Sequence, residues 1–367
     1  MGSRILIATG GTGGHVYPAV ALAQQLLREI PQCEVLFVGG SLDKNRFFDR
    51  AFDFRTVPCG AFMSRSFKSI LSTLYNIGSG VMHSRKIIRE FHPDVAVGFG
   101  SFYAFPPLVA AKIMGVPLIL HEANSIPGKA NRWLARWAEV TGVHFPETAR
   151  MLNGNAVEVG MPLRDGFKKV EGGGPAAKLH YGLRVDLPTV LIFGGSQGAQ
   201  VINSVVDDAL GKPGIGGKCQ VLHLTGNEQI VEPLQKRYKQ ANIHACVKAF
   251  ETDMQLAWQA ADLMIGRSGA GTIAEQLEFE VPGILIPYAK AAENHQESNA
   301  NFMVATVGGA VKLQEKGLEG DRLVECLRGL TQDNGALVKA MRHAIRAYKK
   351  RVRTRDLCSL VKDYCRV

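Results

Sequence analysis

The sequence is poor in the features that would bind a metal or form a disulfide framework. Its 367 residues include seven cysteines, but these are scattered singly, with no Cys-x-x-Cys pair and no Cys/His cluster. Neither a zinc site nor structural disulfides are therefore predicted, and a reducing compartment fits best. Asp-x-Asp is absent as well, so there is no obvious ligand set of that kind for a metal chelated by a nucleotide diphosphate.

Long apolar runs free of helix-breaking residues are also missing. Crossing a bilayer takes about 20 apolar residues. The uncharged stretch 95–111 has 17 residues and contains Pro106 and Pro107, so we predict a strand, a loop and a helix there. The apolar residues 5–8 are too few for the core of a signal peptide. We therefore expect neither a membrane span nor a secretion signal.

Acidic residues are scarce in two stretches, and this accounts for the formal net charge of +10. Residues 55–90 hold six basic side chains and one acidic one, and residues 336–367 hold ten and two. Two local patches on a near-neutral chain favour binding to phosphate groups or to an anionic membrane surface over binding to nucleic acid.

One pattern occurs twice in a chain long enough for two domains. Residues 5–8 and 189–193 are short apolar strands, each followed by a glycine loop and an apolar-periodic helix. In the first of these helices, Pro18 is expected in the first turn. Further short strands are predicted at 34–38, 94–97 and 117–120. This alternation indicates parallel α/β sheets, with a domain boundary in the Gly- and Pro-rich stretch 161–174.

The two glycine loops, residues 9–14 and 194–198, are candidate phosphate sites. Their backbone N–H groups and the N-terminus of the following helix would face an anion. Neither loop has the dinucleotide-binding spacing or the P-loop lysine, and for either loop alone a tight strand–helix turn is an equally good interpretation. Two matched loops favour ligand binding. His15 follows the first loop and is a candidate general base, although a lone histidine is more often structural.

A third turn into a helix, residues 267–275, carries Ala270, Gly271 and, one helical turn later, Glu275. That carboxylate could accept both hydroxyls of a ribose, or it could be an ordinary glutamate favoured by the helix dipole. Three polar residues follow the next strand end: His295, Gln296 and Asn299. They suit sugar hydroxyls, or they are solvated residues at a helix start.

Apolar residues recur at near-helical spacing between residues 62 and 77, with basic residues among them. The members that define this apolar stripe are Phe67, Ile70, Leu71 and Leu74, with Lys68 between them. Two interpretations stay open. The stripe is either the core-facing side of a helix or the side of a helix that lies in an anionic membrane surface.

Five motifs together resemble those of the MurG family of N-acetylglucosaminyltransferases. They are Gly-Gly-Thr-Gly-Gly-His at 10–15, His-Glu-Ala-Asn at 121–124, Gly-Gly-Ser-Gln-Gly-Ala at 194–199, Ser-Gly-Ala-Gly-Thr-Ile-Ala-Glu at 268–275 and His-Gln-Glu-Ser-Asn-Ala at 295–300. Their joint order is highly specific, although either glycine loop alone would not be. The sequence departs from the family at Gly100-Ser101-Phe102, where glycine-glycine-tyrosine is usual, and also at Ala123 and His295.

The resemblance implies an α/β protein with the GT-B glycosyltransferase fold, in which two Rossmann-like domains face each other across a cleft. It implies an acceptor and membrane-associating domain in 1–163, a UDP-GlcNAc domain in 164–340, and a basic C-terminal helix in 341–367 that returns to the first domain. The implied reaction is the inverting transfer of GlcNAc from UDP-GlcNAc to the C4 hydroxyl of MurNAc in lipid I, which forms lipid II in peptidoglycan synthesis.

The resemblance also implies roles for individual residues at the donor. Glu275 would hold the ribose, and Ser196 would hold the diphosphate with Arg164 beside it. Other residues are implied to contact the donor substrate. They are Phe250 and the backbone of Glu251 at uracil, Ala270 and Gly271 in the turn 267–275, and Asn124 and Gln296 at GlcNAc.

On the acceptor side, Thr12, Gly13 and Gly14 would face the acceptor pyrophosphate or the donor sugar, with His15 as the base. No metal or other cofactor is implied. The implied partners are UDP-GlcNAc, lipid I, an anionic membrane surface and other cell-wall synthesis proteins, but not nucleic acid. The implied location is peripheral, on the cytoplasmic face of the bacterial inner membrane.

Three other functions remain open for this set of motifs. In the same fold, the chain could transfer a hexose to diacylglycerol or act as a UDP-GlcNAc 2-epimerase. In a different class, it could be a non-catalytic subunit that binds a nucleotide sugar at the membrane, which would need Glu275 and Ser196 but no base.

Overall fold

The computed structural model describes residues 2–60, 67–195, 199–212, 219–352 and 354–365. Contacts divide the chain into two compact units, Met1–Asp165 with Thr354–Val367, and Gly166–Arg353. None of the helices in the described ranges is long and apolar enough to cross a membrane.

Seven parallel strands form the sheet of the first unit. They are β1 (Arg4–Ala8), β2 (Glu34–Gly39), β3 (Phe54–Thr56), β4 (Val95–Gly98), β5 (Leu118–Glu122), β6 (Val140–Val143) and β7 (Ala156–Glu158). Their order is β3-β2-β1-β4-β5-β6-β7. The central strands are buried on both faces, which is why continuous apolar runs such as Ile5-Leu6-Ile7-Ala8 form them.

Helices cover both faces of this sheet. They are α1 (Gly13–Glu29), α2 (Phe67–Phe91), α3 (Phe105–Ile113) and α4 (Lys129–Leu134). Leu22 and Leu26 of α1 pack in the core on one face, and Ile88 of α2 and Leu108 of α3 pack in the core on the other.

The second unit repeats this plan with six parallel strands. They are β8 (Thr189–Phe193), β9 (Gln220–Leu224), β10 (Ala245–Lys248), β11 (Leu263–Gly266), β12 (Gly283–Leu285) and β13 (Ala310–Lys312). Their order is β10-β9-β8-β11-β12-β13. The helices are α5 (Gly174–His180), α6 (Gln200–Leu210), α7 (Val231–Gln240), α8 (Met254–Ala260), α9 (Ala270–Phe279), α10 (His295–Asn301) and α11 (Gly320–Arg351), the last of which is interrupted by non-helical backbone at 332–335.

Each sheet reverses its strand order at its first strand. β1 lies between β2 and β4, and β8 lies between β9 and β11. The loops that leave the two strands on either side of such a reversal run to opposite faces of the sheet, so a crevice opens at the carboxyl ends, where α/β proteins bind ligands. Both predicted glycine loops follow these first strands. The predicted α/β class with two Rossmann-like sheets is confirmed.

Two helices differ from the sequence predictions. α1 already begins at Gly13, so Pro18 is its sixth residue and not a first-turn residue. Gly13 and Gly14 of the glycine loop form the first turn instead. The basic stretch 341–351 belongs to α11 and to the second unit. Arg346 and Lys349 form ion pairs there with Glu280 and Glu278.

The short helix α12 (Leu357–Lys362) completes the first unit. Its apolar side chains enter the core beside α1: Leu357, Cys358, Leu360 and Val361. The carboxylate of Asp356 caps α12 by accepting hydrogen bonds from the N–H groups of Cys358 (3.2 Å) and Ser359 (3.3 Å), and Gln25 of α1 also donates to it (2.9 Å). The segment that packs on the first unit is therefore the one after α11.

We expect Leu357→Ala to destabilise the first unit. The Leu357 side chain is fully buried, and removing such a side chain costs about 2–5 kcal/mol because a cavity remains. Native-state hydrogen exchange of the β1 and β6 amides measures this loss. Leu337→Ala on α11 is the control, because Leu337 is 48% exposed and its loss should cost less than about 0.5 kcal/mol. An equally small effect of Leu357→Ala would contradict the packing of α12 in this core.

Candidate active site

The first glycine loop is packed against the loop that follows β4. Gly11 has a φ of +86°, and a Cβ built there would lie 3.1 Å from Ser101 Oγ. A Cβ on Gly10 would lie 2.7 Å from the Cβ of Tyr103. From the other side, Asn45 Nδ2 donates to the carbonyl oxygen of Gly11 (2.8 Å). Only glycine fits this path, so the loop holds one conformation at the carboxyl end of β1.

The loop leads directly into the N-terminus of α1. Thr12 is the N-cap residue, and its side chain makes no capping hydrogen bond. Gly13 and Gly14 are the first two helical residues, so their N–H groups have no acceptor within the helix. With the helix dipole, they make this turn suitable for an anion. Thr12 and Gly14 are exposed, whereas Gly13 is buried.

Two arginines lie beside this turn on a pair of aromatic rings. The Tyr17 and Phe47 rings are 5.7 Å apart. Arg164 Cζ lies 4.7 Å from the Tyr17 ring, and Arg46 Cζ lies 4.7 Å from the Phe47 ring. The structure thus places Arg164 in the first unit with the first glycine loop. Arg46 was not predicted from the sequence as a site residue. Its position in the loop after β2, at the carboxyl edge of the sheet, could have indicated this role.

His15 joins the loops that follow β1 and β4. Its Nδ1 lies 2.9 Å from the carbonyl oxygen of Phe99. A carbonyl oxygen can only accept a hydrogen bond, so Nδ1 carries the proton, and Nε2 of the neutral ring holds the lone pair. Thr9 Oγ1 donates to the carbonyl oxygen of His15 (3.0 Å). His15 is therefore oriented at both its backbone and its ring, as a general base must be.

Two histidines lie at the carboxyl edge of the sheet: His121 is buried, and His144 is half-buried with both ring nitrogens shielded from solvent. Burial is the largest cause that lowers the pKa of His121 to about 3, and the repulsion that protonated His144 and His15 would exert acts in the same direction. Burial likewise lowers the pKa of His144 to about 4. His121 packs against the Phe99 ring, with a centroid distance of 5.2 Å. Both histidines are therefore neutral at physiological pH.

A buried carboxylate fixes the loop that carries Asn124. Glu122 is buried at the end of β5. It accepts hydrogen bonds from the N–H groups of Asn124 and Gly128 (both 3.0 Å) and from Asn131 Nδ2 (2.9 Å). Thr148 Oγ1 donates to the carbonyl oxygen of Asn124 (3.1 Å). Asn124 is therefore positioned through its backbone.

In the second unit, the turn into α9 has the same form. Gly269 is the N-cap residue, and Ala270 and Gly271 open the helix, so their N–H groups are again without acceptors within the helix. Glu275 lies one turn further on, and its Oε2 accepts a hydrogen bond from Trp258 Nε1 (2.7 Å). A partner from α8 therefore orients this carboxylate.

Two buried polar residues join this turn to α10. Ser268 Oγ donates to the carbonyl oxygen of Gln296 (2.7 Å), and Asn299 Nδ2 donates to the carbonyl oxygen of Ser268 (3.0 Å). The Gln296 side chain accepts at Oε1 from the N–H of Tyr288 (3.0 Å). Glu275 and Gln296 are thus brought to one edge of the second sheet.

Phe250 and Glu251 follow β10 at this edge. The Phe250 side chain is 58% exposed. The Glu251 carboxylate accepts from Lys248 Nζ (2.6 Å) and from the N–H of Asp253 (3.0 Å). Burial alone would raise its pKa, but these hydrogen bonds outweigh burial and lower it. The carboxylate therefore supports its own loop.

Some predicted residues lie outside the described part of the chain. Ser196 is one of them, and the side chains of Phe67, Lys68 and Ile70 are others, although α2 begins at Phe67. The remaining two members of the apolar stripe are described: Leu71 is 51% exposed and Leu74 is 54% exposed.

One group of described side chains has the spacing of metal ligands, namely Glu29, Asp356 and Cys358. Glu29 is paired with Lys362 (2.5 Å), and Asp356 is the cap of α12. These contacts account for the group as part of the packing of α12 on α1.

Two Rossmann-like sheets with glycine turns at their strand-order reversals are the architecture of GT-B glycosyltransferases, and this chain has that fold. The glycosyltransferase family 28 N-terminal domain matches residues 5–143, and the family 28 C-terminal domain matches residues 189–355. The chain belongs to glycosyltransferase family 28.

Relatives within the family make the similarity more specific. The chain is 46% identical over 364 residues to a UDP-N-acetylglucosamine–N-acetylmuramyl-(pentapeptide) pyrophosphoryl-undecaprenol N-acetylglucosamine transferase of Protochlamydia amoebophila, covering 99% of this chain and 96% of the relative. It is 33% identical to the protein of the same name from Halothermothrix orenii, covering 98% of both. The crystal structure of Acinetobacter baumannii MurG aligns with a TM-score of 0.77 at 25% identity, covering 98% of this chain and 99% of that one. The resemblance to the MurG family is confirmed.

We expect acid to destabilise the protein through the neutral histidines His121 and His144. The folded-state pKa values of His121 and His144 lie near 3 and 4, below the ordinary value of 6.5. At a pH between the folded-state pKa and 6.5, the unfolded state therefore binds more protons than the folded state. The free energy of unfolding should fall as the pH drops below about 6.5, by up to about 1.4 kcal/mol per pH unit for each histidine.

Urea unfolding between about pH 7 and about pH 5 measures this slope. His144→Phe should flatten it, because one titrating group is lost, whereas the control His92→Asn at an exposed position should leave it unchanged. A free energy of unfolding that stays constant over this range would show that the folded histidines titrate normally.

Proposed function

We propose that this chain transfers GlcNAc from UDP-GlcNAc to N-acetylmuramyl-(pentapeptide) pyrophosphoryl-undecaprenol, at the C4 hydroxyl of MurNAc and with inversion. The product would be lipid II of peptidoglycan synthesis. The geometric observation that carries the proposal is the hydrogen bond from His15 Nδ1 to the carbonyl of Phe99, because it fixes a base nitrogen beside an anion-binding turn. The name shared by the relatives supplies the substrates.

In the first unit, the turn at Thr12, Gly13 and Gly14 would bind the acceptor pyrophosphate. Their N–H groups and the helix dipole favour an anion, and Arg46 and Arg164 supply positive charge beside it. His15 Nε2 would take the proton from the C4 hydroxyl as its oxygen attacks C1 of GlcNAc. The bond between C1 and the diphosphate oxygen breaks, and UDP leaves with that electron pair.

In the second unit, Glu275 would accept the ribose hydroxyls at the carboxylate that Trp258 orients. The N–H groups of Ala270 and Gly271 suit the diphosphate, which Ser196 would also contact. The sequence-based roles of four residues are kept in this proposal: Phe250 and the Glu251 backbone at uracil, and Asn124 and Gln296 at GlcNAc.

No metal or other cofactor has a part in this mechanism. Oriented N–H groups and arginines can stabilise the charge that develops on leaving UDP without a metal ion. A positioned base contributes typically about 10²–10⁴-fold to the rate.

We further propose that α2 binds an anionic membrane surface, at the cytoplasmic face of the bacterial inner membrane. Leu71 and Leu74 are about half exposed, and Tyr75 is 76% exposed, which favours the interfacial interpretation for the described part of the stripe. Lys86 and Arg89 further along α2 are exposed cations, as expected for a helix at an anionic interface. Phe67, Lys68 and Ile70 belong to the same sequence-based proposal.

An aromatic group with a neighbouring cation is also partly exposed in the first unit. Trp133 of α4, which is 40% exposed, lies with its ring centroid 4.2 Å from that of Trp137 and 5.3 Å from that of Phe105. Arg136 Cζ lies 5.1 Å from the Trp133 ring. Tryptophan beside a cation is the composition preferred at a membrane interface.

We expect His15→Ala to lower kcat for transfer from labelled UDP-GlcNAc to a lipid I analogue by about 10²–10⁴-fold, since the base nitrogen is lost. Transfer by the unaltered chain should persist in EDTA. The control is His180→Ala, at an exposed position at the end of α5, which should leave kcat unchanged.

Each alternative predicts a different outcome of this assay. Turnover of UDP-GlcNAc without acceptor would indicate an epimerase, and activity only with diacylglycerol would indicate a glycolipid synthase. An unchanged rate in His15→Ala would remove His15 as the base, and the absence of any transfer would favour a binding subunit. Strong inhibition by EDTA would contradict the metal-free mechanism.

We expect Leu71→Asp with Leu74→Asp to reduce binding to vesicles of anionic phospholipid by at least about tenfold, because two carboxylates would enter the interface. Circular dichroism should be unchanged, since both positions are half exposed. Leu179→Asp on α5, where the side chain is 64% exposed, is the matched control and should bind as the unaltered chain does. Unchanged vesicle binding by the double variant would contradict the membrane role of α2.

A further inference from the structure

A buried ion pair joins three loops at the carboxyl edge of the second sheet. Arg267 follows β11, Glu315 follows β13, and their side chains are only 9% and 11% exposed. Besides its contact with Glu315, Arg267 Nη1 donates to the carbonyl oxygens of Ile286 (3.1 Å) and Pro287 (3.3 Å), directly after β12. One guanidinium therefore holds the chain after β12 to the turn into α9.

Glu315 holds the same chain from the other side. Its Oε1 accepts from Arg267, and its Oε2 accepts from the N–H of Ala289 (2.7 Å). Both carboxylate oxygens are used as acceptors. The segment 286–289 is therefore bound at two carbonyls by the arginine and at one N–H by the glutamate, although Ala289 itself is exposed.

The residue between these points orients the Gln296 side chain. The N–H of Tyr288 donates to Gln296 Oε1 (3.0 Å), and the Tyr288 ring lies 5.2 Å from Arg267 Cζ. Because a backbone N–H can only donate, the side-chain oxygen of Gln296 must face Tyr288. The Nε2 group of Gln296 then points away from Tyr288 and can donate to a ligand.

We propose that the Arg267–Glu315 pair is a positioning pair that holds the Gln296 amide in the orientation required by the sugar of the donor. The identity of the ligand rests on the proposed function. A buried ion pair gives weak support for stability, since desolvation offsets its attraction, and its better-attested use is to select one arrangement. Here the arrangement selected is that of segment 286–289, and through it that of Gln296.

Glu315→Gln tests the pair with little change in volume. Arg267 and Ala289 donate to different oxygens of Glu315, and glutamine replaces one of these oxygens with an NH2 group, so one of the two hydrogen bonds is lost. We expect KM and Kd for UDP-GlcNAc to rise about tenfold, the loss of one good hydrogen bond, while Kd for UDP, which lacks the sugar, changes less than about twofold. Hydrogen exchange of the amides of residues 288–294 should accelerate.

A second variant separates positioning from stability. Replacing both members, Arg267→Met with Glu315→Met, leaves no unpaired buried charge, so its Tm should fall less than that of Arg267→Met alone, which leaves the Glu315 carboxylate unpaired. The selective weakening of UDP-GlcNAc binding should persist. The control is Lys178→Met, which breaks the ion pair with Asp262 (2.8 Å) just before β11, at the opposite edge of the sheet. It should lower Tm without altering the ratio of the two Kd values.

The outcomes distinguish this inference from the proposed function. Equal weakening of UDP and UDP-GlcNAc in both variants, or unchanged binding and exchange in both, would overturn the positioning role. The unaltered chain could fail to glycosylate a lipid I analogue while Glu315→Gln still weakens the binding of UDP-GlcNAc and not of UDP. That result would contradict only the proposed acceptor. If the unaltered chain bound UDP and UDP-GlcNAc with the same Kd, both proposals would be contradicted.

Discussion

The reversal of strand order at β1 is the constraint on which the first unit's site depends. Because the chain leaves β1 toward one face of the sheet and leaves β4 toward the other, the start of α1 and the residues after β4 border the same crevice. The hydrogen bond between His15 and Phe99 spans that crevice and joins two residues that are 84 positions apart in the sequence. Without the reversal there would be neither a crevice at this edge of the sheet nor a carbonyl to set the tautomer of the histidine.

Local signals in the sequence were sufficient for the elements that carry the site. Short apolar runs gave β1 and β8, and glycines marked the turns that follow them, because strand burial and tight turns leave a local signature. The partners of the site residues could not be found in this way. Trp258 orients Glu275 from another helix, and Arg46 reaches the first loop from the chain after β2. Such contacts depend on tertiary packing, for which a single sequence contains no periodic signal.

Ser101 shows how a residue other than glycine can hold a left-handed turn. Ser101 has a φ of +71°, in the region that costs a residue with a side chain about 1–2 kcal/mol. Its hydroxyl accepts a hydrogen bond from the N–H of Tyr103 (3.3 Å), which offsets part of that cost, and Gly100 before it has a φ of +75°. The loop that packs on Gly11 therefore keeps the left-handed turn that two glycines would provide.

Part of the buried face of α2 is formed by small and polar residues. Thr73, Gly80 and Ser84 are buried there together with Ile88, and a Cβ on Gly80 would lie 2.0 Å from the carbonyl oxygen of Pro58. Ser84 satisfies its hydroxyl by donating to the carbonyl oxygen of Gly80 (2.7 Å). Amphipathic spacing alone could not tell a core face from an interfacial one, because both repeat with the helical period. Close packing of α2 requires small residues on its inner face, and Leu71 and Leu74 lie on its outer face. Each Å² of their apolar surface that is removed from water contributes about 25 cal/mol of stabilising free energy. An apolar environment outside the protein is therefore what would stabilise this arrangement.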